Sequence, residues 1–292
     1  IALAFGGEVV SADSMQIYRG MDIGTAKPSP EEMRGVPHHM IDVADPNEDY
    51  SAARFGDEAG TVIDDVLERG KLPVIAGGTG FYIGAVLNPD GFAPRPENDE
   101  IRKELQKLAD AKGVDAVFEI LKREDPESAE KIDKNNLKRV IRAIEIYRTC
   151  GMTRAEFLSS RPSEKRRNTI MIGLNVVPRE RLYERINLRV DDMMARGLLN
   201  EVRALLENGV RENGTAMQAI GYKELVPAIR GETDIGTAVA LIKQRSRNYA
   251  KRQLTWFKRD AGTVWFEHTG GNDFEKTIEI IKKYIKDKLQ EE

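Results

Sequence analysis

Glu8–Lys27 reads EVVSADSMQIYRGMDIGTAK, and its opening decides how the rest of the chain is organised. Val9 and Val10 make a short apolar strand, and Ser11, Asp13, Ser14 and Gln16 stand directly behind it. In an open parallel sheet, ligands bind in the crevice beyond the carboxyl ends of the strands, so these polar residues would enter a reaction cleft. An aspartate after a strand is also a common turn former or helix cap, and this stretch alone leaves both readings open.

Downstream, Leu72–Ala76 in LPVIAGGTG reads as a second strand. Between the two, Ala52–Arg69 has helical spacing, with Phe55, Ala59, Val62, Ile63, Val66 and Leu67 on one face and Gly70 as the stop. A strand–helix–strand unit favours a parallel sheet with right-handed crossovers. The opening IALA, followed by Phe5-Gly6-Gly7, reads as the tail of a helix, so more chain is expected upstream.

A chain of 292 residues, 40% hydrophobic, can bury a sizeable core. One cysteine, Cys150, and three histidines, His38, His39 and His268, exclude a disulfide framework and a structural zinc set. No apolar run approaches the roughly 20 residues that cross a bilayer, and no signal peptide opens the chain. A cytoplasmic protein with no membrane association is expected.

The net charge of −3 argues against a general nucleic-acid binder, but its distribution argues for local basic surfaces. Lys243–Arg259, KQRSRNYAKRQLTWFKR, contains no acid and includes Tyr249, Trp256 and Phe257. Mixed basic and aromatic composition suits a nucleic-acid backbone with bases stacked nearby. Smaller basic clusters stand at Lys138, Arg139 and Arg142, and at Lys165, Arg166 and Arg167.

Past Tyr82 the turn-rich NPDGFAPRPEND marks a boundary. Helical runs follow at Ile101–Ala111, Asp115–Lys122 and Leu137–Thr149, closed by the polar SSRPSEKRR. Thr169–Val177, TIMIGLNVV, then has the continuous apolar character of a strand buried on both faces. Helices are expected at Arg179–Ala195, Asn200–Asn208, Ala219–Ile229, Asp234–Lys258 and Phe274–Leu289, with one more strand at Thr263–Glu267. The organisation is an α/β core, residues 1–93 and 168–292, interrupted by a helical insertion, residues 94–167.

Three constellations bear on chemistry. Gly77-Gly78-Thr79-Gly80 ends the second strand, where absent side chains let backbone N–H groups approach an anion and Thr79 offers a hydroxyl. Alone it is a turn; with Asp13 at the neighbouring strand end it suggests a phosphate site. Arg185 and Arg189 lie one helical turn apart and can converge on one anion, diphosphate above all, or pair with Glu184, Asp191 or Asp192. His38 and His39 lack a third ligand and read as structural rather than metal-binding.

The segments ADSMQIYRGMDIGTAKP, GVPHHMIDVADP, VIAGGTGFY, NNLKRVIRAIEIYRTCG, LYERINLRVDDMMARGLLNEV, AIGYKEL and YAKRQLTWFKR together resemble the tRNA dimethylallyltransferases. These are the isopentenyl transferases of the P-loop NTPase superfamily, and the resemblance runs over nearly the whole chain. It implies a P-loop NTPase-like parallel-sheet core with an all-helical insertion domain. It also implies transfer of a dimethylallyl group from dimethylallyl diphosphate to the N6 amine of the adenosine 3′ of the anticodon in tRNA, releasing pyrophosphate.

By that resemblance Asp13 is the general base, and Thr79 hydrogen-bonds the bridging oxygen of the diphosphate. Arg189, with Arg185, Gly77 and Gly78, holds the phosphates. Contacts to the tRNA anticodon stem-loop fall on Asp13, Ser14, Met15, Gln16, Arg102, Lys138, Arg139, Arg142, Gln218, Gly221, Tyr222, Lys223, Arg245, Arg247, Lys251, Arg252 and Gln253. The implied cofactor is Mg²⁺, with its protein ligand in a P-loop G-P-T-x-x-G-K-[ST] expected ahead of Ile1 and none in the stretch itself. Without that loop the stretch is expected to bind the allyl diphosphate badly. A monomer is the expected state.

Other readings are an adenylate isopentenyltransferase acting on AMP or ADP, a non-catalytic tRNA-binding remnant, and a small-molecule kinase. A free nucleotide needs neither the helical insertion nor the basic run, and a kinase leaves both unexplained.

Overall fold

Glu8–Ser11 forms β1, the centre of a three-stranded parallel sheet, with β2, His38–His39, on one side and β3, Pro73–Ala76, on the other. The register pairs Val9 with Val74, Val10 with Ile75 and Ser11 with Ala76. Val10 is fully buried, so the apolar dipeptide does anchor the strand in the core. The chain is described over residues 1–88, 98–153, 156–157, 168–271 and 273–290 of the computed structural model.

At the start of β1 the Glu8 carboxylate is 2% exposed and gathers Arg69 at 2.5 and 2.8 Å, Lys71 at 2.7 Å and His39 Nε2 at 2.7 Å. Arg69 foremost, then Lys71 and His39, hold its carboxyl far below the usual carboxylate range. The His39–Glu8 contact and the pairing of Val9 with His38 and Val10 with His39 tie β2 to β1, while His38 Nδ1 turns back to the Val36 carbonyl at 2.8 Å. Two-residue β2 has no periodicity to betray it and was not expected from the sequence.

The helix Ala52–Glu68 starts on a Ser51 cap and buries Phe55, Ala59, Ile63 and Val66. Leu67, counted with that face by sequence, is 46% exposed. One residue past Val66 lies about 100° further round the helix, which turns it out. Gly80–Leu87, FYIGAVL after its glycine, is also helical, and its uniform apolarity gives no period to read. Its Tyr82 stacks on Phe55 with ring centroids 3.9 Å apart, fixing the glycine turn to the layer beneath.

A second parallel sheet pairs β4, Ile172–Val176, with β5, Val264–His268. β4 is not buried on both faces as expected: Leu174 is 47% exposed. Among the described residues β4 pairs with β5 alone, and the Trp265 ring covers it at Gly173, where an added Cβ would lie 2.6 Å from the indole.

Packing divides the chain into two units, Ile1–Val86 with Arg167–Glu292, and Leu87–Arg166. The second contains the helices Asp99–Lys112, Val114–Glu124, Pro126–Lys131 and Leu137–Cys150 around Leu105, Val117, Leu121, Val140 and Ile144. The NPDGFAPRPEND boundary falls almost wholly outside the described residues, as do SSRPSEKRR and the Lys165–Arg167 cluster. Among the described residues, no helix is long and apolar enough to cross a membrane.

Glu145, fully buried in the helical unit, accepts the Asn98 N–H at 2.9 Å, Arg102 Nε at 2.9 Å and Arg142 Nη1 at 2.5 Å. Burial pushes its carboxyl up, but Asn98, Arg142 and Arg102 together outweigh that and hold it below the ordinary value. A depressed folded-state pKa contributes stability that is present above the unfolded value and lost as pH falls through the folded one. Glu145→Gln is expected to destabilise the protein by about 1–3 kcal/mol at neutral pH, a loss that shrinks in acid. Urea midpoints of both proteins between pH 7 and pH 3 test this; a constant gap across the range would contradict it.

Candidate active site

The loop behind β1 is built from hydrogen bonds that close it on Asp13 and tie its next residue, Ser14, to Thr79. Asp13 Oδ1 accepts the N–H groups of Met15 at 2.8 Å and Gln16 at 3.3 Å, closing an Asx-type turn. Among the described residues Oδ2 has no hydrogen-bond partner. The turn and the reaction-cleft readings of this aspartate are therefore compatible, one on each carboxylate oxygen. The turn aims the Ser14 N–H at Thr79 Oγ1, 3.0 Å away, and Thr79 Oγ1 lies 3.2 Å from Ser14 Oγ.

The glycines of GGTG each meet a neighbour. A Cβ at Gly77 would stand 2.4 Å from the Ala12 carbonyl group, at Gly78 2.0 Å from Gln253 Nε2, and at Gly80 2.5 Å from the Trp256 ring. The Thr79 N–H donates to the Ala12 carbonyl at 3.2 Å. Close approach of three surfaces accounts for this turn, and all its glycines keep ordinary backbone angles.

Lys27 and Glu201 lock the rest of the loop. Lys27 Nζ, its side chain 7% exposed, reaches Asp22 and Asp42 at 2.5 Å each. The Glu201 carboxylate accepts the N–H groups of Asp22, Ile23 and Gly24 at 3.0, 2.7 and 3.1 Å, and the Tyr222 hydroxyl at 2.6 Å. Neither role was visible in the sequence, because Glu201 meets partners 177 to 179 residues away.

The basic run lies on the helix Ile235–Phe257 and continues just past it. Gln253 Nε2 donates to the Gly78 carbonyl at 3.0 Å, so the helix is bonded to the glycine turn. About 9 Å back along the axis, Arg247 bonds Asn187 Oδ1 at 2.7 Å and Lys243 pairs with Asp191 at 2.6 Å, joining it to the helix Arg179–Ala195. Arg245 is drawn to the buried Glu224 at 2.5 Å. Lys251, Arg252 and Arg259 stay exposed and, with Asn248, Thr255 and Trp256, line a shallow basin.

Arg185 and Arg189 do not pair with the acids expected to compete for them. Asp191 holds Lys243, and Asp192 faces Arg196 at 3.8 Å. Arg189 is exposed and has no acidic partner among the described residues. At about 100° per residue both arginines lie nearly opposite Asn187 and Asp191. Arg185 lies against the loop after β5 and lines a cavity of about 310 Å³ with Gly270, Gly271, Phe274 and Glu275. Burial and then the Arg185 charge hold His268 below its ordinary pKa. No hydrogen bond among the described residues ties either arginine to Asp13 or Thr79.

Several side chains expected to contact RNA are committed inside the protein. Gln16 accepts from Ser11 Oγ at 2.9 Å and donates to the carbonyls of Thr25 and Ala26 at 3.2 Å. Tyr222 is fully buried, so it packs the loop at Gly24 rather than presenting a face to a ligand. Gly221, at φ 103°, is buried at the start of the helix Tyr222–Ile229 and donates its N–H to Glu224 at 2.7 Å. Arg102 and Arg142 hold Glu145. Met15 packs on the core, Gln218 donates to the Glu212 carbonyl, and Lys223 is half-buried. Lys138 and Arg139 are exposed and carry no ion pair among the described residues.

Parallel strands, polar residues at their carboxyl ends and a basic helix bonded to the glycine turn define an α/β protein whose polar loops gather at the edge where open parallel sheets bind ligands. The IPP transferase family model matches residues 16–260. The tRNA dimethylallyltransferase of Caldanaerobacter subterraneus subsp. tengcongensis is 46% identical over 292 residues, covering 99% of this chain and 93% of that protein. A tRNA isopentenylpyrophosphate transferase structure from Bacillus halodurans superposes with a TM-score of 0.73 at 43% identity, covering 99% of this chain and 90% of that one. A eukaryotic dimethylallyltransferase acting on tRNA gives a TM-score of 0.82 at 29% identity, covering 98% and 75%. The chain belongs to the IPP transferase family and is a prenyl-transferring enzyme.

Proposed function

We propose that this protein transfers a dimethylallyl group from dimethylallyl diphosphate to the N6 amine of the adenosine 3′ of the anticodon in tRNA. The observation that supports the reading is the Ser14–Thr79 contact, which ties the loop carrying Asp13 to the glycine turn carrying Thr79. The amine nitrogen attacks the first allylic carbon as the bond from that carbon to the diphosphate oxygen breaks. Its proton passes to Asp13, and pyrophosphate leaves with the electron pair.

An aromatic exocyclic amine is a poor nucleophile whose proton becomes acidic only as the new bond forms, so a carboxylate within reach helps chiefly in the transition state. Charge gathers on the departing diphosphate, where the Thr79 hydroxyl and Arg189, with Arg185, would stabilise it most. Among the described residues no three His, Cys, Asp or Glu side chains converge on a cation site. A magnesium ion shared with a diphosphate would need only one or two protein oxygens, and none of these steps is routed through the ion.

The target base must leave its stack to reach such a cleft, while basic surfaces hold the backbone. Lys251 and Arg252, which pair with no acid among the described residues, are assigned to phosphate contact; Lys138 and Arg139 are the exposed basic residues of the helical unit assigned likewise. Lys251→Ala and Arg252→Ala are each expected to reduce the slope of log affinity against log salt by about 0.7–0.9. Arg245→Ala, which frees the buried Glu224, should lower the melting temperature more than the slope. Equal slopes for all three variants and the wild type would remove this helix from the RNA interface.

Mass spectrometry of nucleosides from tRNA incubated with the protein and dimethylallyl diphosphate tests the proposal. N6-dimethylallyladenosine at the position 3′ of the anticodon is expected. Product on AMP alone would make the protein an adenylate isopentenyltransferase, and RNA binding without product would make it a non-catalytic binder.

A further inference from the structure

The resemblance gives Gln16 to the RNA, yet each of its backbone and side-chain polar groups is engaged within the protein. Its N–H donates to Asp13 Oδ1 at 3.3 Å, and its carbonyl accepts the Asp42 N–H at 3.2 Å. Its side-chain oxygen accepts the Ser11 hydroxyl at 2.9 Å, and its amide nitrogen donates to the carbonyls of Thr25 and Ala26 at 3.2 Å each. An amide nitrogen carries two N–H donors, and these two carbonyls take them.

The bonds close around Asp13. Ser11 is the last residue of β1 and is 4% exposed, so its hydroxyl fastens Gln16 to a fixed strand end. Asp13 stands inside the loop that this contact closes, with Oδ1 tied to the N–H groups of Met15 and Gln16. The far side of the amide is braced as well. Ala26 sits at φ 49°, in the left-handed region that side chains other than glycine seldom adopt, and Glu201 clamps the N–H groups of Asp22, Ile23 and Gly24 just ahead of it. One side chain thus joins the end of β1 to a held turn, across the segment that carries Asp13.

We propose that Gln16 is a positioning residue for Asp13. By fastening the loop to Ser11 on one side and to Thr25 and Ala26 on the other, its amide keeps the Asx turn in register with β1, and with it the second carboxylate oxygen of Asp13. The inference rests on the role given to Asp13 under the proposed function.

The test is single-turnover kinetics at saturating tRNA and dimethylallyl diphosphate, beside equilibrium tRNA binding, for Gln16→Met, Ser11→Ala and each combined with Asp13→Asn. Methionine keeps the length of the side chain and removes both halves of the amide. Gln16→Met is expected to lower the rate roughly ten- to hundredfold, as misplacement of a reacting group by about an ångström does, with tRNA affinity within about twofold. Ser11→Ala leaves the amide donors in place and should lower the rate about three- to tenfold, the worth of one hydrogen bond. In the Asp13→Asn background either change should alter the rate by less than about twofold, because residues acting as a unit are not additive.

A weaker tRNA affinity with the saturated rate unchanged would make Gln16 an RNA contact and overturn the inference. Equal fold losses with and without Asp13→Asn would mark a merely structural residue and overturn it too. Should Gln16→Met fail to fold, Ser11→Ala decides: a rate like that of the wild type, or equal losses in both backgrounds, overturns the inference. An Asp13→Asn protein as fast as wild type is a separate outcome: it would remove the role of Asp13 itself, and this inference with it.

Discussion

Asp13→Asn should slow prenyl transfer at saturating substrates by roughly 10²–10⁴-fold, the usual worth of a general base, while leaving tRNA affinity within about twofold. Asparagine is the informative replacement. Its amide oxygen can still accept from Met15 and Gln16, so the Asx turn and the Ser14 contact to Thr79 survive. What disappears is the second carboxylate oxygen, the one with no partner among the described residues. Alanine would remove turn and base together and could not separate them. Single-turnover rates on the modified adenosine, beside equilibrium tRNA binding, read the two effects independently. An Asp13→Asn protein within about threefold of the wild-type rate would mean that another group takes the proton.

The second large effect is steric. Gly77→Ala places a methyl 2.4 Å from the Ala12 carbonyl carbon and oxygen, and the obstacle is backbone in a buried strand end rather than a flexible side chain. The exits of β1 and β3 must separate, which lengthens the Thr79 N–H bond to Ala12 and the Ser14 bond to Thr79. Overpacking of this kind costs about 1–3 kcal/mol. The displacement of Thr79 should lower kcat by at least about tenfold as well, because misplacement of a reacting group by about an ångström is severe. Gly60→Ala is the matching control: it lies within the helix Ala52–Glu68, with nothing within 4 Å of an added Cβ. Replacing a helix glycine there should raise stability by up to about 1 kcal/mol. If both variants melt and turn over like the wild type, the close fit of the glycine turn has no bearing on function.

The long elements were legible in the sequence because each carries its own period. Ala52–Glu68 buries one face, Leu137–Cys150 does the same in the helical unit, and the apolar cores of β1 and β3 lie within the runs expected to form them. Elements without a period were not legible: β2 is two residues long, and Gly80–Leu87 is apolar all round. The pairing of Asp13 with Thr79 could be suspected, since both follow short apolar strands. The bond that joins their two loops, from Ser14 to Thr79, could not, because those residues are 65 apart.

Charge was the least readable feature. An acid-free run on one helix looks like a single cationic face, but its neighbours divide it. Asp191 takes Lys243, Glu224 takes Arg245 and Asn187 takes Arg247, leaving Lys251, Arg252 and Arg259 without an acid among the described residues. The same sorting occurs in the helical unit, where Glu145 binds Arg102 and Arg142 but not Lys138 or Arg139. By itself, then, the sequence determined the strand–helix order, the parallel sheet and the residue types at the strand ends, all of which follow from local periodicity and turn chemistry. Tertiary structure alone decided which charges are spent on the fold and which remain for a ligand, because ion pairing depends on distances between segments that the order of residues does not contain.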